Sequence, residues 1–297
     1  MKVTGGQAIL GGVAMRTSTW RVAVVRRISG EIVHGAVRAR PSRLASMPVV
    51  RGVFGWFVDA PTEPAWAADV VVSDGPPPEL LPPGRRSFVR VAAALLLLHG
   101  VLQLATYAAL RALHRDAAPA SISFQGAMAA GILLLGLLYL RFIGRIEDVR
   151  GLFRLNGAFK MALWAANDAE EPTPAMLRRH PAWCPWSSVV AFAVVTVFLA
   201  VLTPLVLLPF AASQGPGLVP HLVTWGARVV LTPVAVGLVE EGLRALVELG
   251  NGPVVRVALA PIALLERLVV RAPDEASLEV AALALRDLRS RCREPDR

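Results

Sequence analysis

The chain has 297 residues, with 31 Lys and Arg against 22 Asp and Glu, a formal net charge of +9, and 18% charged beside 55% hydrophobic residues. Soluble domains average about 25% charged, and the mean hydropathy of +0.53 comes from apolar runs too long for a globular core. This balance excludes a pair of ordinary soluble domains and predicts a polytopic membrane protein, since a helix crossing the roughly 30 Å hydrocarbon layer needs about 20 apolar residues. Nucleic acid is not an expected partner despite the pI of 11.0: the basic residues lie in loops flanking the apolar runs, with no recognised binding module. Cys184 and Cys292 give no disulfide framework. Residues 1–43 have no apolar core of signal-peptide type, so no cleaved targeting segment is expected.

In chain order, residues 1–58 read as a cytoplasmic β-rich region. Residues 20–27 (WRVAVVRR) and 31–38 (EIVHGAVR) are β-branched runs joined across Gly30, a hairpin signal. Before them, residues 5–16 (GGQAILGGVAMR) could supply a third strand, with four glycines that permit close backbone approach. Residues 47–58 are apolar but too short to span, and fit either the membrane surface or the hairpin. Residues 59–87 read as a Pro-rich linker.

Residues 88–142 hold the first two predicted spans, at about 91–110 and 124–142; His99 and Gln103 share a face of the first, as an interhelical hydrogen bond requires. The cytoplasmic central segment, 143–187, carries most of the interior charge. Residues 188–247 hold spans three (188–212) and four (222–247). The fourth contains Arg228, Pro233, Gly237 and the Glu240–Arg244 pair, in the favourable i,i+4 orientation. Ionisable residues within a span are functional candidates by default, which brings in Arg228 and Glu240; for Glu240 the alternative is the water interface. Residues 248–297 read as an interfacial helix followed by an amphipathic one. For 253–270, interfacial or re-entrant placement competes with a fifth span. Residues 274–288 start a helix at Pro273 and Asp274, with Leu278, Ala281, Ala282 and Leu285 on one face. The fold class is therefore mainly α, a helical membrane protein of about four spans with a small N-terminal β-hairpin region. Arg clusters before span one and between spans two and three, against an uncharged turn at 213–221, place both termini and the central segment in the cytoplasm.

The central segment holds the chemistry-bearing residues. His180 and Cys184 lie four apart around a proline, a two-ligand fragment of a divalent metal site that needs one or two more donors. The competing reading is a turn leading into the membrane, anchored by Trp183 and Trp186. No Ser-His-Asp arrangement can be picked out.

Several stretches, in order, resemble the YqhQ-like family of bacterial inner-membrane proteins, a domain of unknown function labelled a predicted metal-dependent enzyme. Residues 5–16 are similar to its opening Gly-Gly-Gln-Ala-Val-x-Glu-Gly-Val-Met-Met-Arg, and 153–160 (FRLNGAFK) to Phe-x-Tyr-His-Gly-Ala-Glu-His-Lys. Residues 180–184 (HPAWC) resemble its His-Pro-Arg-Cys with one residue inserted; 233–244 (PVAVGLVEEGLR) and 271–281 (RAPDEASLEVA) complete the match. The resemblance covers nearly the whole chain. Yet Gly11 stands where the family has Glu, Asn156 where it has His, and Phe159, Lys160 and Met161 fall on its Glu-His-Lys. Phe and Met can serve neither as metal ligand nor as general base. The glycines, Gln7, Arg16, His180, Cys184 and Glu240 survive.

Three functions follow as expectations. The first is a divergent, non-catalytic member that serves a protein partner on the cytoplasmic face of the lipid bilayer. The second is an enzyme holding a divalent metal at His180 and Cys184, with Glu240, Lys160 and Arg16 as catalytic candidates. The third is a small transporter using His99, Arg228 and Glu240.

Overall fold

In this computed structural model the described residues are 3, 5–39, 62–73, 75–78, 80, 118–184, 188–210, 218–248 and 270–293, with scattered positions in 47–49, 93–112 and 257–267. The chain is mainly helical, with an N-terminal antiparallel sheet and, among the described residues, three helices long and apolar enough to cross a membrane.

The sheet has four strands in sequence order: β1 (Gly5–Ile9), β2 (Gly12–Arg16), β3 (Trp20–Arg26) and β4 (Ile32–Arg38). The glycine-rich opening thus supplies two strands, where one was expected. The reason is Gly11, whose φ of +67° turns the chain after Leu10 so that Ile9 pairs with Gly12. The predicted hairpin forms as read, with Trp20 opposite Arg38 and Arg26 opposite Ile32.

Alternation along the strands serves two cores. Val13, Met15, Val22 and Val24 face one side, and Ala14, Ala23, Val25 and Val33 the other. The second side is covered by α1 (Thr62–Val72), through Trp66, Ala67 and Val70. This corrects the linker reading of 59–87. The proline-rich composition hid an 11-residue helix whose indole donates to the Pro78 carbonyl at 2.8 Å.

The first side is covered by two helices from distant parts of the chain. One is α3 (Glu147–Ala165), which follows the membrane helix α2 (Ile122–Ile143) after a three-residue turn. Glu147 and Asp148 in its first turn complement the helix dipole, and Ala158, Phe159 and Ala162 pack on the sheet. Gly157 has no Cβ because the Arg271 carbonyl lies 2.7 Å from where one would sit. A short helix, α4 (Pro174–Leu177), follows, capped by Thr173. The other covering helix is the C-terminal one, which runs as Glu275–Arg293. Asp274 Oδ1 accepts from the Ser277 amide at 2.9 Å, and Leu278, Ala281, Leu285 and Leu288 are fully buried. The predicted amphipathic face is therefore covered by the sheet and α3.

The apolar helices are α2, α5 (Ser188–Leu207) and α6 (Leu218–Glu248); the C-terminal helix is α7. At 1.5 Å per residue α2 is about 33 Å long, enough for the hydrocarbon layer. Each carries an exposed apolar stripe at i, i+4, i+8: Leu134, Leu138 and Phe142; Val197, Val201 and Leu205; Val230, Val234 and Leu238. Such ridges in water would be an aggregation liability, whereas against lipid tails they cost nothing. Inner faces pack Val190 and Leu199 of α5 on Ala235, Val239 and Leu243 of α6. The predicted first span lies largely outside the described residues, though Leu97, Val101, Leu104 and Tyr107 within it are helical. His99, Gln103 and most of 47–58 and 253–270 also lie outside them; Val49 rests against Gly237 of α6.

Candidate functional site

Two buried polar groupings stand out, one beside the sheet and one inside the helical bundle. The first is built on α3. Lys160 is 2% exposed and points its ammonium at Glu266, 0% exposed, in a direct ion pair. Burial pushes the Glu266 carboxyl above its ordinary value, against the pull of the Lys160 charge and hydrogen bond and of the Cys184 backbone amide. Nearby the Trp164 indole donates to the Trp183 carbonyl at 2.8 Å, and the two rings meet edge to face. Cys184 is buried at 2% exposure. Lys160, Cys184 and Glu266, three stretches of the chain, thus share one junction.

His180 is turned elsewhere: its Nε2 lies 2.8 Å from Asp168 Oδ2 on the partly exposed loop after α3. That loop is fixed by α7, because Arg289 donates to the carbonyls of Ala165 and Glu170 at 2.7 and 2.6 Å. Burial lowers the Arg289 pKa, with Asp168 pulling it back up. Of the predicted metal pair, then, His180 carries a carboxylate partner and Cys184 is buried beside the Lys160–Glu266 pair. Among the described residues no three His, Cys, Asp or Glu side chains stand close enough to hold a metal ion. The donor set among the described residues falls short of the three or four converging ligands of a metal centre.

The remaining sequence candidates are separate from this junction. Arg16 closes β2 opposite Gly5 and Arg21, with its guanidinium lying along Gly5. Glu240, on α6, pairs with Arg244 at 3.3 Å as the i,i+4 spacing predicts. Arg228 lies twelve residues earlier on α6, about 18 Å along the axis from Glu240, so the two do not touch a single small ligand together. Gln7 of the opening motif donates to Glu63 on α1 at 3.2 Å, and Arg21 lies 3.5 Å from the same carboxylate.

The second grouping surrounds Arg228, 1% exposed, whose Nη1 donates to the Gln125 side-chain carbonyl of α2. Gln125 is itself fully buried and anchored to the Pro119 carbonyl at 2.7 Å. Next to it the Phe124, Tyr107 and His221 rings cluster, with Tyr107 and His221 centroids 4.3 Å apart.

Sequence reasoning missed Glu266, Asp168 and Gln125 as partners. A signal existed for Glu266: a carboxylate in an apolar run demands a buried cation, and Lys160 falls on the buried face of α3.

These features define a helical membrane protein with an α/β body built from parts of the chain that flank its apolar helices. Residues 68–291 match the family described as "Protein of unknown function (DUF1385)", and the chain belongs to that family. The match begins within α1, leaving the sheet outside it. No curated protein and no solved structure matches the chain.

Proposed function

We propose that this is a four-span protein of the bacterial inner membrane, a divergent YqhQ-like member, whose cytoplasmic α/β body serves as a non-catalytic scaffold for a protein partner. The topology is supported by where the body's pieces come from. The sheet precedes the first apolar run, α3 lies between α2 and α5, and α7 follows α6. Segments that pack together share one side of a bilayer, so each intervening stretch crosses it an even number of times. Two crossings at 91–110 and α2, then two at α5 and α6, satisfy this, with 253–270 not crossing. Arg141, Arg145, Arg150 and Arg154 beside the body, against no charge at 213–221, favour the cytoplasmic side.

The scaffold reading rests on one observation: Lys160, His180 and Glu240 each already have a charged partner within the fold. Reactive groups spent on packing contacts support a structural role. Elemental analysis of the detergent-purified protein, beside a His180→Ala, Cys184→Ala double variant, tests it. The scaffold reading expects no stoichiometric metal in either sample. One metal per chain, lost in the double variant, would overturn it in favour of a metal-dependent enzyme on the central segment.

A further inference from the structure

Arg228 uses one of its three guanidinium nitrogens on Gln125. Its Nε and Nη2 are buried with no hydrogen-bond partner. Those two nitrogens form one edge of the guanidinium plane, the fork that matches two oxygens of an oxyanion. No carboxylate among the described residues pairs with it: α2 and α5 contain no acid, and those of α6 are Glu240, Glu241 and Glu248, at least twelve residues away. A guanidinium at 1% exposure, with two nitrogens unpartnered and no carboxylate pairing it among the described residues, is costly enough to require an explanation.

The neighbours point to the same ligand chemistry. His221 lies two turns before Arg228 on α6, and its ring stacks 6.4 Å from that of Phe124, the residue next to Gln125, which Arg228 bonds. There the Tyr107 hydroxyl and both His221 ring nitrogens are buried without partners. So is Nη1 of Arg111, one turn beyond Tyr107. Arg228 Nε and Nη2, Arg111 Nη1, the Tyr107 hydroxyl and a His221 N–H together offer more donors than the two oxygens of a carboxylate can use. Gln125, bonded to Arg228, lies in the first turn of α2, which puts the grouping near the boundary of the apolar layer.

We propose that the end of the bundle where α2 and α6 begin binds a phosphate group, held on the Nε–Nη2 edge of Arg228, with Arg111, Tyr107 and His221 completing the site. The phosphate comes from a phospholipid headgroup or from inorganic phosphate, and two arms of one experiment separate these. In the first, the full chain is washed extensively in detergent and retained phospholipid is counted by native mass spectrometry. In the second, delipidated protein is titrated with inorganic phosphate at constant ionic strength, and the melting temperature is followed. Wild type is expected to hold one phosphate group per chain, as retained lipid in the first arm or as a saturable upward shift in the second. Arg228→Met abolishes it. Arg228→Lys, which keeps the charge but loses the fork, weakens it roughly tenfold or more. If Arg228→Met does not fold, Arg228→Lys and Arg111→Gln carry the comparison. Wild type binding phosphate in neither arm, or equal binding by the Arg228 and Arg111 variants, overturns the proposal.

Discussion

Lys160 shows how far a single residue's meaning depends on its partner. In the sequence it is the one reactive group left in the Asn-Gly-Ala-Phe-Lys stretch, which suggests catalysis. In the fold both it and Glu266 are almost completely buried and neutralise each other. Breaking a buried pair from one side strands a charge, at a cost of about 3–5 kcal/mol, whereas replacing both partners by apolar groups is often close to neutral. Lys160→Met or Glu266→Gln alone is therefore expected to lower thermal stability in detergent by about that amount, and Lys160→Met with Glu266→Leu by much less. Equal loss in the single and double variants would count against the pair. Asp287 gives a pH prediction. Burial pushes its carboxyl up, but the Arg291 hydrogen bond and charge, with the His34 imidazole 3.5 Å away, outweigh this and hold it below the ordinary aspartate range. A depressed folded-state pKa stabilises above the unfolded value of about 4 and ceases to do so as pH falls through the folded value. The gap in melting temperature between wild type and Asp287→Asn should thus close as the pH drops below about 4; a gap independent of pH would refute the assignment.

At the scale of the element, periodicity carried most of the information. The α2, α5 and α6 spans were legible because length and apolarity alone define them, and the β3–β4 hairpin because alternation brackets a glycine turn. The amphipathic face of α7 was legible for the same reason. Two elements were not. β1 and β2 merged into one expected strand because the turn between them is just Leu10 and Gly11, and α1 was masked by flanking prolines. The junction was illegible for a different reason: Lys160 and Glu266 are 106 residues apart, and no local pattern connects them. The turn offers a direct check. A Cβ on Gly11 would sit at positive φ and 2.7 Å from the Arg26 carbonyl. Gly11→Ala is expected to cost about 1–2 kcal/mol from the left-handed conformation alone, measured as a lowered melting temperature. A neutral substitution would mean that β1 and β2 are not joined by this turn.

For the whole molecule, the membrane helices and the body depend on each other through the order of the chain. Each excursion into the apolar layer returns a segment to the same core, so that sheet, α3 and α7 are neighbours although hundreds of residues separate their ends. This shared core, on which the proposed topology rests, is the central claim. The most direct test uses the contact between Thr17, beside β2, and Cys292 near the end of α7, where Oγ1 and Sγ lie 3.7 Å apart. With Thr17→Cys in native membranes, mild oxidation should yield an intramolecular 17–292 cross-link, identified as the joined peptide pair by mass spectrometry. Absence of that cross-link, with both thiols still open to a membrane-impermeant reagent from opposite faces, would contradict a single body and the topology drawn from it.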